Sequence, residues 1–270
     1  MIKTRLDSCP MSDNPSPELP SDSAPQSDVV DFGFKTVARD DKKPLVRAVF
    51  DSVASRYDIM NDLMSVGVHR LWKQAFTTKL QPSPRHKLLD LAGGTGDISF
   101  GWLKKGGGPA IISDINASML GVGRERAIER GLVGQLEFVV ADAENLPLPD
   151  RCVDRVSISF GLRNCTDKQA VLNEAFRVLR PGGRFLCLEF SRMQIETLRP
   201  LYDMWSFKVL PKLGQRVAGD ADSYQYLAES IRMFPDQETL AGMFALSGFE
   251  RVEVTNLSGG IAAIHGGWRL

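Results

Sequence analysis

The run Leu89-Asp90-Leu91-Ala92-Gly93-Gly94-Thr95-Gly96-Asp97 concentrates more functional chemistry than any other stretch of the sequence. Its three glycines follow a short apolar run, and glycines there let the backbone turn sharply and let a ligand approach closely. Asp114 stands about twenty residues on, after Ala110-Ile111-Ile112-Ser113, where a carboxylate can accept both hydroxyls of a ribose. Asp142 closes a third apolar run, in Ala141-Asp142-Ala143-Glu144-Asn145-Leu146-Pro147. Its carboxylate can accept from an adenine amino group while the Ala143 N–H donates to a ring nitrogen. Taken singly, the glycines fit a plain tight turn and Asp142 fits a helix cap. In series they read as an adenine-nucleoside site. The dinucleotide fingerprint is incomplete, since Ser99 stands where it needs a third glycine, and the Gly-Lys-[Ser/Thr] of a phosphate loop is absent.

The elements that must position these residues alternate. Lys87–Leu91 reads as a strand, Asp97–Lys105 as a helix, Ala110–Ser113 as a strand and Met119–Arg130 as a helix closed by Gly131. Leu136–Val140 and Arg155–Phe160 read as strands, Asp167–Leu179 as a helix stopped by Arg180-Pro181-Gly182-Gly183, and Phe185–Phe190 as a fifth strand. This order predicts an α/β fold with a parallel sheet, helices on both faces and right-handed crossovers. Two helices, Asp222–Met233 and Gln237–Ser247, precede two strands, Val252–Leu257 and Ile261–His265, whose hairpin adds an antiparallel strand. Upstream, Val46, Val49, Phe50 and Val53 share one helix face, which predicts a helical cap over residues 42–80. Met1 to about Asp31 is rich in Ser, Pro and Asp and reads as a disordered tail. One domain over residues 32–270 follows it.

The 270 residues balance 33 Lys+Arg against 33 Asp+Glu, so no overall field draws in nucleic acid or an anionic membrane. Cys9, Cys152, Cys165 and Cys187 form no C-x-x-C pair, which argues against a zinc site and a disulfide framework and favours the reducing cytoplasm. No apolar run approaches the ~18 residues of a membrane span, and the acidic N-terminus resembles neither a signal nor a transit peptide.

The glycine loop, Ser113-Asp114-Ile115-Asn116, the segment Ala141–Pro147 and Leu179-Arg180-Pro181-Gly182-Gly183 resemble the successive motifs of class I S-adenosylmethionine methyltransferases. Three further segments narrow the resemblance to the ubiquinone/menaquinone biosynthesis C-methyltransferase family (UbiE): residues 50–58 through His69-Arg70-Leu71-Trp72-Lys73, Ser157–Asn164, and Asp222–Ile231. The likeness runs from about Phe32 to Leu270. It implies a Rossmann-like, mostly parallel seven-stranded sheet with an antiparallel last strand. It also implies methyl transfer from S-adenosylmethionine to a ring carbon of a prenylated quinol. By resemblance, Gly94, Thr95, Gly96, Asp114, Asp142, Ala143 and Ser159 hold the cofactor. Two departures are Ala92, where many members of the superfamily have glycine, and the C-terminal Gly267-Trp268-Arg269-Leu270.

The acceptor chemistry asks for placement and a route for a proton. Arg163 and Asn164, just past the fourth strand, are expected to hold the quinol oxygen or an intervening water, with Arg163 stabilising a phenolate. A surface or capping ion pair is the competing reading for Arg163. Tyr224 and Tyr226 are candidates for substrate binding, with packing as the alternative. His69 is expected on a helix surface rather than in catalysis, and Cys165 as a small buried hydrophobe rather than a nucleophile. No paired carboxylates flank the proposed acceptor, so no metal is expected. Leu198, Leu201, Tyr202, Trp205, Phe207, Val209 and Leu210, with Arg199 and Lys208, read as an amphipathic lid that can also wall a tunnel for the prenyl tail or touch a membrane surface. A homo-oligomer and a quinone-synthesis complex are both compatible with the sequence. The rival functions are a phospholipid headgroup amine N-methyltransferase, a dinucleotide oxidoreductase and a non-catalytic scaffold.

Overall fold

The computed structural model describes residues 28–53, 62, 65, 67–198, 204 and 221–270. Its centre is a seven-stranded sheet of β3 (Leu88–Leu91), β4 (Ala110–Asp114), β5 (Leu136–Val140), β6 (Val153–Ser159), β7 (Leu179–Phe190), β8 (Glu250–Leu257) and β9 (Ala262–Arg269). The spatial order is β5-β4-β3-β6-β7-β9-β8. The pairs among β3 to β7 are parallel, and β9 runs antiparallel to both β7 and β8. The chain therefore reverses its direction of travel between β3 and β6, and a crevice opens at the carboxyl ends of those strands.

Residue alternation in the strands builds two cores, one per sheet face. Leu88, Leu186, Leu188, Phe190 and Ile264 pack with Trp72, Phe76 and Trp102. Leu89, Leu91, Phe185, Cys187, Val156 and Ile158 pack with Val171, Leu172, Phe244 and Phe249. β3 is buried throughout, as a central parallel strand covered on both faces must be. The flanking helices are α1 (Arg39–Val53), α2 (His69–Lys79), α3 (Asp97–Lys104), α4 (Ala117–Glu129), α5 (Lys168–Val178), α6 (Ala221–Met233) and α7 (Gln237–Leu246). Trp72, Phe76 and Leu80, four apart, put one face of α2 into the core. Asn116, Asp167 and Asp236 cap α4, α5 and α7 by accepting from the N–H three residues on.

Some features differ from the sequence expectation, among them the start of β7 at Leu179 rather than Phe185. Val29–Phe32 and Lys35–Ala38 form an antiparallel hairpin, β1–β2, so ordered structure begins ahead of Phe32. Its strands are four residues long and half exposed, too short for periodicity to reveal. Phe32 stacks on Tyr226, with ring centroids 4.3 Å apart, and ties the hairpin to α6. The last strand also runs further than the expected Ile261–His265. β9 continues to Arg269, whose guanidinium donates to the carbonyls of Phe176, Arg177 and Leu179 at the end of α5. Trp268 lies against the guanidinium groups of Arg155 and Arg184. Those two arginines donate to the carbonyls of Leu80 and Lys79 at the end of α2, where positive charge suits the helix dipole. The proposed lid falls almost wholly within residues 199–203 and 205–220, outside the described residues.

Candidate active site

The crevice beyond β3, β4, β5 and β6 offers about 1080 Å³ of empty space, part of it open to solvent. The glycine loop forms its floor. Gly96 opens α3 with φ 87°, a left-handed conformation natural to glycine. Gly93 has no room for a side chain, because a Cβ there would stand 2.8 Å from Ile112 Cγ2. Ala92 has φ 47° and carries the left-handed penalty that a glycine would escape. Phe160, at the tip of β6, is also left-handed with φ 58°, and such strain clusters at functional sites.

Carboxylates ring the floor. Asp114 accepts from the Gly94 N–H at 2.9 Å through Oδ2 and from the Asn116 N–H at 2.8 Å through Oδ1. Each oxygen keeps a lone pair for a ligand hydroxyl. Burial pushes its pKa up to about 6 against the pull of those backbone donors. Asp90, inside β3, accepts from Ser99 Oγ at 2.9 Å and Ser157 Oγ at 2.7 Å, and burial again raises its pKa to about 6. Burial also acts to raise Asp97, but Lys73 at 2.7 Å and Arg126 at 3.6 Å more than offset it and hold the carboxyl below its ordinary value. Asp142 accepts from the Glu144 N–H at 2.9 Å and from Lys43 Nζ at 2.5 Å. Lys43 also lies 3.0 Å from Glu144. Burial works against the Lys43 charge, and its two carboxylate partners outweigh that and raise its pKa.

α1 crosses the mouth of the crevice. Lys43, Val46, Arg47 and Phe50 line it. Arg47 donates to the Ile115 carbonyl at 2.7 Å, and Asn116 Nδ2 donates to Asp51 at 2.8 Å. The α1 part of the helical cap expected from sequence thus lies over the cleft.

The structure brings Gly94, Thr95, Asp114, Asp142, Ala143, Ser159 and Asn164 to this one cleft, while Gly96 caps α3 beside it and does not line it. It does not bring Arg163 there. The Arg163 side chain is 1% exposed, and its Nη1 donates to both oxygens of Glu189, at 3.1 and 2.9 Å, and to the Phe160 carbonyl at 2.5 Å. A guanidinium carried into the interior needs a carboxylate, and Glu189 of β7 supplies it. The expectation that Arg163 itself grips a ligand oxygen is corrected accordingly: Arg163 stands behind the cleft wall and Asn164 forms it. Tyr224 is fully buried in the core cluster with Trp72 and Phe160, so it packs rather than faces the cleft. Tyr226 donates to Asn164 Oδ1 at 3.2 Å and so orients that amide. His69 is buried rather than on the helix surface. Burial lowers its pKa, Asp62 bonds it at 2.8 Å, and it does not line the cleft. Cys165 does line the cleft, but burial pushes its thiol up to about 12, which leaves no thiolate near neutral pH. Asp90, Lys43 and Glu144 were not singled out from sequence. For Asp90 the signal was available, as a lone charge inside an otherwise apolar strand.

The model of the ubiE/COQ5 methyltransferase family matches residues 35–269. The chain belongs to that family. It is 68% identical over 244 residues to the Ubiquinone/menaquinone biosynthesis C-methyltransferase UbiE of Acidiphilium cryptum, covering 90% of this chain and 98% of that protein. The protein of the same name from Brucella abortus is 55% identical over 88% of this chain and 90% of its own length. Among solved structures, a SAM-dependent methyltransferase from Thermotoga maritima superposes with a TM-score of 0.60 at 18% identity, over 83% of this chain and all of that one. At that identity it shows the class I methyltransferase fold alone. This ubiE/COQ5 family member is therefore a methyltransferase whose cofactor is S-adenosylmethionine.

The residues present fit that cofactor. Asp114 offers paired acceptors for vicinal hydroxyls. Ser159 Oγ lines the cleft buried and without a hydrogen-bond partner among the described residues. Such a hydroxyl calls for a ligand to satisfy it.

Proposed function

We propose that this protein transfers a methyl group from S-adenosylmethionine to a ring carbon of a polyprenylated quinol. The acceptor would be demethylmenaquinol, 2-polyprenyl-6-methoxy-1,4-benzoquinol, or both. The observation that carries the reading is the 68% identity, over 98% of its length, to a protein named for that reaction. Gly94, Thr95 and Gly96 cradle the cofactor, Asp114 takes its ribose, Asp142 and Ala143 read its adenine, and Ser159 lies toward its methionine end. The bound cofactor supplies an activated methyl on a sulfonium, so the protein's task is placement. Holding two reactants in line can supply up to ~7–11 kcal/mol. Asn164, oriented by Tyr226, meets the quinol oxygen. Arg163, from behind the wall, adds positive potential that favours the phenolate, moderated by Glu189.

The competing phospholipid-amine reading shares the cofactor groups and differs in acceptor. The test is an assay of the purified chain with demethylmenaquinol, a prenylated methoxybenzoquinol and phosphatidylethanolamine. Methylation of a quinol ring carbon is the expected result, and methylation of the amine alone would overturn the reading. Asp114→Ala should weaken S-adenosylhomocysteine binding by tenfold or more in a calorimetric titration, and unchanged affinity would remove Asp114 from the site.

A further inference from the structure

Glu144 connects the two halves of the cleft through side-chain contacts of its own. Its Oε1 accepts from the Thr166 N–H at 2.6 Å and the Asp167 N–H at 3.1 Å. Its Oε2 lies 3.0 Å from Lys43, which also bonds Asp142. Its own N–H donates to Asp142 Oδ1. The two amides belong to the loop between β6 and α5, which carries Asn164 two residues earlier and ends at the α5 cap, Asp167. Lys42, next to Lys43 on α1, donates to the Cys165 carbonyl of the same loop at 3.2 Å. The Glu144 side chain is 12% exposed, so water screens these bonds little.

We infer that Glu144 is a positioning residue that fixes the acceptor loop 161–167, and with it Asn164, against the strand that reads the cofactor's adenine. This rests on the reading that Asn164 faces the acceptor. The physical case is that two backbone donors at a helix entrance need an acceptor, and a carboxylate there is favoured by the helix dipole as well. Tyr226 and the Arg163–Glu189 pair hold the loop on its other side, and an ångström of residual misplacement is costly to a transfer that depends on alignment. Glu144 supplies the tie from the adenine side, so the loop is referenced to the bound nucleoside rather than to its own strand alone.

Two variants separate the parts of this tie. Glu144→Gln keeps a carbonyl oxygen for the Thr166 and Asp167 amides and loses the charge facing Lys43. Glu144→Ala loses both. In Glu144→Ala, amide hydrogen exchange in residues 164–167, measured with S-adenosylhomocysteine bound, should quicken at least tenfold. Its kcat with quinol should fall at least tenfold, and its S-adenosylhomocysteine Kd should stay within threefold of wild type. Glu144→Gln should lie within threefold of wild type in all three. Wild-type exchange in the loop of Glu144→Ala would overturn the inference. So would a loss of cofactor affinity that matches the loss in kcat, because Glu144 would then serve the cofactor. Failure of both variants to fold, against a stable wild type, would also overturn it, since a positioning role predicts that Gln suffices. If the wild-type chain methylates no quinol, the functional reading fails, and the exchange measurement still decides the tie.

Discussion

A methyl added at Gly161 would collide with the methyl of Ala92, and that collision can be measured. The added Cβ would stand 2.5 Å from Ala92 Cβ and 3.3 Å from Ile158 Cγ1, against the ~3.5–4.0 Å at which carbons pack. Gly161 has φ −112° and ψ −33°, open to any residue, so the cost of Gly161→Ala is steric and about 1–3 kcal/mol. Ala92→Gly relieves a left-handed conformation worth ~1–2 kcal/mol and gives back roughly 0.5–1 kcal/mol through a looser unfolded chain. Its net effect is stabilisation by up to about 1.5 kcal/mol. In the Ala92→Gly background the principal obstacle to the added methyl is gone, so the two changes should couple by about 1–2 kcal/mol. Urea unfolding of the four proteins gives the cycle. Both residues line the cleft, so methyl transfer should fall in Gly161→Ala and recover in the double variant. Equal cost of Gly161→Ala in both backgrounds would refute the reasoning and move the obstacle to Ile158.

Arg163→Ala should destabilise by about 3–5 kcal/mol because it strands the buried Glu189 carboxylate. Adding Glu189→Gln should restore most of the stability while kcat stays low, and full recovery of kcat would show that Arg163 acts only as a structural counter-charge. Asp90 binds a proton more tightly folded than unfolded, since its pKa rises from 3.8 to about 6. Stability should therefore fall as pH climbs from about 4 to about 6 and level off above. Asp90→Asn should gain up to about 3 kcal/mol at pH 7, and a flat difference between the two proteins across that window would refute this. Asp114, also near 6, must ionise to accept two hydroxyls, so S-adenosylhomocysteine affinity should drop as pH falls below about 6 and be independent of pH from 7 to 8. Removing Trp268–Leu270 deletes three bonds from Arg269 to the end of α5. A loss of about 3 kcal/mol is expected, read as a fall in Tm, and an unchanged Tm would dismiss the clasp.

The central sheet was legible because most of its strands contain short, mainly apolar runs, and Leu136–Val140 matches its strand end to end. The hairpin was not, since four-residue strands with half-exposed side chains leave no period to detect. In the site, Gly94, Asp114 and Asp142 were found because each stands at the tip of a recognisable strand. Arg163 was assigned to the ligand because its partner, Glu189, lies 26 residues away on another strand. A carboxylate inside the apolar run Phe185–Phe190 was visible, and a buried charge demands a counter-charge, but sequence alone names no particular one. The contacts of Asp90 with Ser99 and Ser157, and of Glu144 with Thr166, are products of topology and carry no local pattern.

The reversal of strand order between β3 and β6 has an evolutionary consequence. On the proposed function, the tips of β3, β4 and β5 take the nucleoside, while the wall that starts at Ser159 of β6 meets the methionine end and the second reactant. The two sides meet where β3 pairs with β6, through the Asp90–Ser157 bond and through ties such as Glu144. Mutation can remodel one wall while selection preserves the other. The fold itself tolerates wide sequence change, since the backbone still superposes on the Thermotoga maritima chain at 18% identity.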